Sequence, residues 1–200
     1  MKDAEDFLQQ LGMPLSDSGL GVESELTEEA VLSDGLVEVQ NLAKQIESRA
    51  VYLLGIREHG AKELKTKLLT KFPETPELLD ACQEQPGLVK ELVENVLKRC
   101  QENNWQSDER YIEQSVRNWA AKGSGPNKIR QKLMAASNRE DLISMYLDWD
   151  DSEWLELAAE VLVKKYGDRC KPTERNEQAK RMRFLQSRGF TPNIIWKVFR

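Results

Sequence analysis

From about Asn41 to the C-terminus, apolar residues recur every three or four positions, and this period limits what the chain can become. Ile46, Ala50, Leu53 and Leu54 fall at i, i+4, i+7 and i+8, one face of a helix running to about Glu58. The same spacing returns in Leu64, Leu68 and Phe72, then in Val89, Val93, Val96 and Cys100. It continues through Ile112, Val116 and Trp119, through Ile129 and Leu133, and through Trp154, Ala158 and Val161. No alternating segment of useful length interrupts it, so the expected fold is all-α.

Local signals place the breaks. Thr75-Pro76 reads as an N-cap with proline in the first turn, opening a short helix that Pro86-Gly87 ends. Ser107 caps a helix whose Asp108 and Glu109 complement the unpaired N–H groups of its first turn. Gly123-Ser124-Gly125-Pro126 stops that helix and starts the next. Ser137 and Glu140 have capping-box spacing ahead of Leu142, Ile143, Tyr146 and Leu147. A helix ending near Gly167, one holding Met182 and Leu185 and closed by Gly189, and a last one opened by Thr191-Pro192 complete the chain.

These helices group into triplets whose middle members share a register: Leu64 with Leu68, Ile129 with Leu133, and Arg181 with Leu185. The spacing predicts an elongated array of three tandem three-helix repeats. The expected ranges are 46–106 (with an insertion near 72–88), 107–150 and 151–200, after an acidic, flexible N-terminal extension over 1–45.

Charge is segregated. Residues 1–45 carry two basic and ten acidic side chains, whereas residues 164–200 carry eleven basic and three acidic. Such a chain suits an extended polar partner, and its head can also compete for its own basic end. The acidic N-terminus and the absence of a long apolar run predict a cytoplasmic protein without a membrane span. Cys82, Cys100 and Cys170 have no CxxC spacing, so buried thiols are expected rather than a disulfide framework or zinc site.

Residues for catalysis are sparse. His59, the single histidine, reads as helix-end packing or a solvated side chain. Gly55 to Lys62 imitates the start of a phosphate loop, but Ala61 separates Gly60 from Lys62 and Glu63 stands where Ser or Thr would bind magnesium; a helix–loop–helix junction is the better reading. The pairs Glu28-Glu29 and Asp150-Asp151 read as solvated charge and helix cap. No enzyme activity, metal or cofactor is expected.

Basic residues instead recur on the three middle helices, interleaved with Trp105, Trp119, Trp149, Trp154, Phe184 and Trp196. The candidates for partner binding are Arg57, Lys62, Lys65, Lys67, Arg117, Lys128, Arg130, Lys132, Arg181, Arg183, Arg188 and Lys197. Arg181 and Arg188 fall about 20° apart on a helical wheel. They are expected at the margin of a stripe formed by Met182 and Leu185, guanidinium groups outward, with Arg183 on another face.

Residues 48–200 resemble the RecX family. Ala50 to Leu54 with Arg57, Glu63-Leu64 and Lys67-Leu68 resembles its opening repeat. Asp108-Glu109-Arg110-Tyr111 matches a motif of Asp, any residue, Arg and an aromatic, and Gly123 to Pro126 matches Gly-x-Gly-Pro. Arg183-Phe184-Leu185 and Arg188-Gly189-Phe190 resemble the third repeat. Gly60 replaces a usual Ser cap, Ile112 a usual Ala, Lys71-Phe72 lacks an intervening Gly, and residues 1–45 have no counterpart. The resemblance implies a monomeric, non-enzymatic modulator that binds the RecA recombinase filament on single-stranded DNA. It implies repression of ATP hydrolysis, strand exchange and co-protease activity, in recombination, DNA repair and the SOS response. A direct nucleic-acid binder, whose basic helix faces meet phosphates, is the alternative.

Overall fold

The computed structural model describes residues 22–199. Ten helices and no strand lie among them: α1 (Val22–Ile56), α2 (Ala61–Lys71), α3 (Pro76–Cys82), α4 (Leu88–Glu102), α5 (Asp108–Ala121), α6 (Pro126–Ala136), α7 (Glu140–Tyr146), α8 (Asp151–Tyr166), α9 (Arg175–Arg188) and α10 (Pro192–Val198). The all-α expectation holds.

The helix expected from about Asn41 begins at Val22, so much of the supposed flexible extension is regular structure; residues 1–21 lie outside the described part. The physical reason is visible at Gly35. Its backbone is buried against the end of α3, where an added Cβ would come within 3.0 Å of the Cys82 carbonyl oxygen, while the neighbouring Leu36 and Val37 point to solvent. A glycine makes the contact and the leucine does not, so counting apolar residues places the helix start too late.

The buried apolar side chains form two clusters. The first joins Leu42, Ile46, Ala50 and Leu53 of α1 to Leu64 and Leu68 of α2, Cys82 of α3, and Val89, Val93, Val96 and Cys100 of α4. The supposed insertion contributes to it: Thr75 Oγ1 accepts from the Leu78 N–H, and the Glu74 carboxylate accepts from the N–H groups of Gly87 and Val89 at the start of α4. The second cluster runs without a break from Ile112 and Val116 of α5 through Ile129, Leu133 and Ile143 to Trp154, Ala158 and Leu162 of α8, and on to Leu185, Phe190 and Ile194. The expected second and third repeats therefore share one core.

The middle helices stack end to end. At the start of α6, Gly125 N–H donates to the Arg188 carbonyl (2.8 Å) and Asn127 N–H to that of Gly189 (3.0 Å), both at the end of α9. At the start of α2, Gly60 lies against the Ala136 carbonyl at the end of α6. Between α9 and α6, orphan donors at one helix start thus meet orphan acceptors at another helix end, with the dipoles aligned head to tail. Gly60 and Gly125 both stand four residues before the first core residue of their helix, and neither contact leaves room for a Cβ.

Two local expectations are corrected. Arg139, not Ser137, occupies the N-cap of α7. Ser137 is instead drawn away by Asp108, to which it donates at 2.5 Å. Cys82 and Cys100 are buried as expected, but Cys170 is exposed, in the link between α8 and α9.

Candidate partner-binding surface

The joint between the two cores is polar. Asp108 Oδ1 accepts from Ala61 N–H at the start of α2 (2.7 Å) and from Gln106 Nε2 (2.9 Å), while Oδ2 takes the Ser137 hydroxyl. Arg110 donates to Glu58 Oε1 at 2.8 Å and to the backbone carbonyls of Asn104 and Trp105. Tyr111 is buried beside them. The Asp-x-Arg-aromatic motif is therefore the fastening between the cores. His59 completes the joint: 2 % exposed, it pairs through Nδ1 with the Arg57 carbonyl and through Nε2 with Lys67 Nζ, and its own carbonyl accepts from Gln106 Nε2. Burial, reinforced by the charges of Arg57 and Lys67, holds the imidazole pKa below 6.5.

Several basic candidates are engaged within the first half of the molecule. Arg57 and Lys67 both hold Glu63, at 2.5 and 3.0 Å. Burial pushes the Glu63 carboxyl up, but these two hydrogen-bonded cations outweigh it and the pKa lies below the ordinary value. Lys65 pairs with Glu94 at 2.6 Å. Lys62 reaches the Met134 carbonyl at the end of α6, as Lys128 reaches the Ser187 carbonyl at the end of α9, each a cation on the negative end of a helix.

The others are scattered. Arg117 pairs with Glu113 one turn away, Arg130 donates to Ser144 Oγ, Lys132 covers the Trp119 ring at 4.8 Å, and Lys197 holds Asp151 at 2.5 Å. Arg183 donates only to its own helix, at the Ala179 carbonyl. Of the tryptophans, Trp154 is core and stacks on Trp149 at 4.6 Å, whereas Trp105 and Trp196 are exposed.

Arg181 is the clear correction. It does not point outward from the margin of the stripe: the residue is 9 % exposed, its guanidinium donates to Asp168 Oδ1 (2.7 Å) and to the Cys170 carbonyl (3.2 Å), and it lies over the Tyr166 ring at 4.8 Å. The link between α8 and α9 folds back over the helix and supplies these partners, so the arginine is turned inward and Met182 is only partly buried. The hydrogen bond from Arg181 holds the Asp168 carboxyl below its usual pKa.

Arg188 does face a cleft, and the company it keeps there escaped the sequence reading. Between α5, α8 and α9 lies a cleft of about 260 Å³ lined by Lys122, Lys164, Lys165 and Arg188 over Leu157, Val161 and Phe184, with Glu160 its one acid. Arg188 is held in place over the Phe184 ring (5.3 Å) and by a 3.3 Å hydrogen bond to the Lys122 carbonyl. Lys164 and Lys165 follow the core stripe of α8 by one turn, a hint in the sequence; their meeting with Lys122 is set by tertiary packing.

No group of three or more His, Cys, Asp and Glu among the described residues is placed to hold a metal ion, and no described helix is long and apolar enough to cross a membrane. Helices stacked through their ends, with four cations gathered around one cleft, define an all-α helical array. Comparison with known proteins narrows the class. Residues 151–199 match the RecX third three-helix domain. The regulatory protein RecX of Serratia proteamaculans is 31 % identical over 161 residues, covering 76 % of this chain and 95 % of the relative. That of Vibrio vulnificus is 32 % identical over 142 residues, 71 % of this chain and 82 % of its own. The chain belongs to the RecX family of regulatory proteins. Among solved structures, RecX from Lactobacillus salivarius shares the fold with a TM-score of 0.58 at 21 % identity, over 80 % of this chain and 95 % of that one. A second regulatory protein RecX structure gives 0.59 at 22 % identity, over 98 % and 85 %.

Proposed function

We propose that this protein is a cytoplasmic, non-enzymatic regulator that binds the RecA filament on single-stranded DNA and represses its ATPase, strand-exchange and co-protease activities. The protein acts as a monomer whose three repeats are α1 to α4, with α3 inserted, then α5 to α7 and α8 to α10, and it works by occupying the filament. Family membership supports this reading, and the observation that carries it to this surface is the cleft of Lys122, Lys164, Lys165 and Arg188. These four cations form no ion pair among the described residues, whereas most cations around the joint are already matched. Unmatched charge in one place is what a partner can neutralise.

The test is DNA-dependent ATP hydrolysis by the cognate recombinase, titrated with this protein at two salt concentrations. Repression is expected well below the concentration at which the protein binds naked DNA. Unchanged turnover at saturating protein would refute the reading. The exposed ring of Trp196 (57 % exposed) favours a second one, direct binding to nucleic acid by stacking and phosphate contact. In that case the protein holds DNA without recombinase and loses affinity steeply with salt.

A further inference from the structure

We infer that the cleft between α5, α8 and α9 docks an acidic peptide segment with an apolar anchor; only the identity of the protein that supplies this segment rests on the function proposed above. The three lysines lining the cleft are exposed, whereas Leu157 and Phe184 are half-buried and Val161 is buried, so carbon lies beneath the charge. A ligand matching both parts needs carboxylates beside an apolar side chain. The volume, about 260 Å³, lies below the ~300 Å³ at which drug-sized sites begin, so it admits side chains of a segment rather than a folded element.

The same geometry disfavours a nucleic-acid strand. Stacking needs an open aromatic face. The Phe184 ring is the one aromatic group lining the cleft, and Arg188 lies over it. Arg188 is also pre-positioned: its hydrogen bond to the Lys122 carbonyl fixes the guanidinium and leaves other N–H groups to grip a carboxylate. Lys164 and Lys165 project from the last turn of α8, which anchors them to a rigid element rather than a loop.

The described part of the acidic head leads away from the joint between the cores. Gly35 packs at the end of α3, and Arg57, just past the end of α1, lies at the joint with the second core. At 1.5 Å per residue the intervening helix carries residue 35 about 33 Å from that joint. A segment of another protein, complementary in charge to the four cations, is the occupant.

The experiment uses the full chain and a fluorescein-labelled peptide of about ten residues, all Asp and Glu apart from a central Leu-Phe pair, read by fluorescence anisotropy at physiological salt. The triple variant Lys122→Gln, Lys164→Gln, Lys165→Gln is expected to bind at least tenfold more weakly. Arg188→Gln, measured separately, is expected to lose a similar factor. Both should melt as the parent does, and Lys90→Gln on α4 should bind as the parent does. Replacing the peptide's Leu-Phe pair with Ser should weaken binding severalfold.

Equal affinity for a peptide with Asn and Gln in place of Asp and Glu would overturn the inference. So would parental affinity in the triple variant, indifference to loss of the Leu-Phe pair, or tighter binding of a single-stranded oligonucleotide that displaces the peptide. Recombinase ATPase measured on the same proteins separates the two readings. Inhibition by the parent without peptide binding removes this inference alone; peptide binding without inhibition removes the proposed function and leaves the cleft's specificity standing.

Discussion

Replacing Asp108 with alanine should destabilise the protein and also uncouple its two cores. The carboxylate accepts from three donors on three segments: Ala61 N–H, Gln106 Nε2 and the Ser137 hydroxyl. At about 1 kcal/mol net per hydrogen bond, and somewhat more for bonds to a charged acceptor, the loss is about 3 kcal/mol. For a chain of this length each kcal/mol moves Tm by roughly 2–4 °C, so Tm should fall by about 6–12 °C. Asp108→Asn keeps an acceptor for Ala61 and should cost about 1 kcal/mol. Four of the five tryptophans lie beyond residue 107, and the other, Trp105, lies at the joint, so tryptophan fluorescence reports mainly the second core. Far-UV circular dichroism reports both. With the joint intact, urea unfolding should give coincident midpoints; in Asp108→Ala the midpoints should separate, because no buried apolar residue is shared between the clusters. Coincident transitions with a loss under about 0.5 kcal/mol would refute this account of the joint.

Lowering pH should weaken the same region. His59 has a folded pKa below 6.5, so below that value the unfolded chain binds the additional proton; stability is full above about 6.5 and declines as pH falls toward the folded pKa. His59→Gln should flatten that slope in urea titrations between about pH 7 and 5, and an unchanged slope would assign the dependence to other groups. Arg181→Gln should lower Tm and free the link between α8 and α9 to limited proteolysis, whereas Arg183→Gln, which donates only within its helix, should leave both unchanged. Equal effects would contradict the inward placement of Arg181. Gly125→Ala should cost at least about 1–3 kcal/mol by overpacking, since its Cβ would meet the backbone of Gly189 and Phe190; a neutral result in thermal melts would show that α6 and α9 part easily.

The sequence by itself determined most of the helix starts and breaks after residue 41. Period, caps and breakers are short-range properties, and Thr75-Pro76, Gly123 to Pro126 and Thr191-Pro192 announce helix starts through the backbone groups of their own first turns. The all-α class follows, and so does the motif order that marks the family. What only the tertiary structure decided is where each side chain spends its hydrogen bonds. Ser137 has the spacing of a capping box, yet it serves a carboxylate 29 residues away. Arg181 sits on the wheel like an outward cation, yet a returning link turns it inward. The start of α1 was hidden because a glycine makes its contact, and the basic cleft was hidden because Lys122, Lys164 and Arg188 come from three helices distant in sequence. Helical propensity acts over a few residues and can be read along the chain, whereas charge pairing and desolvation depend on distances between segments, which exist only once the cores have packed.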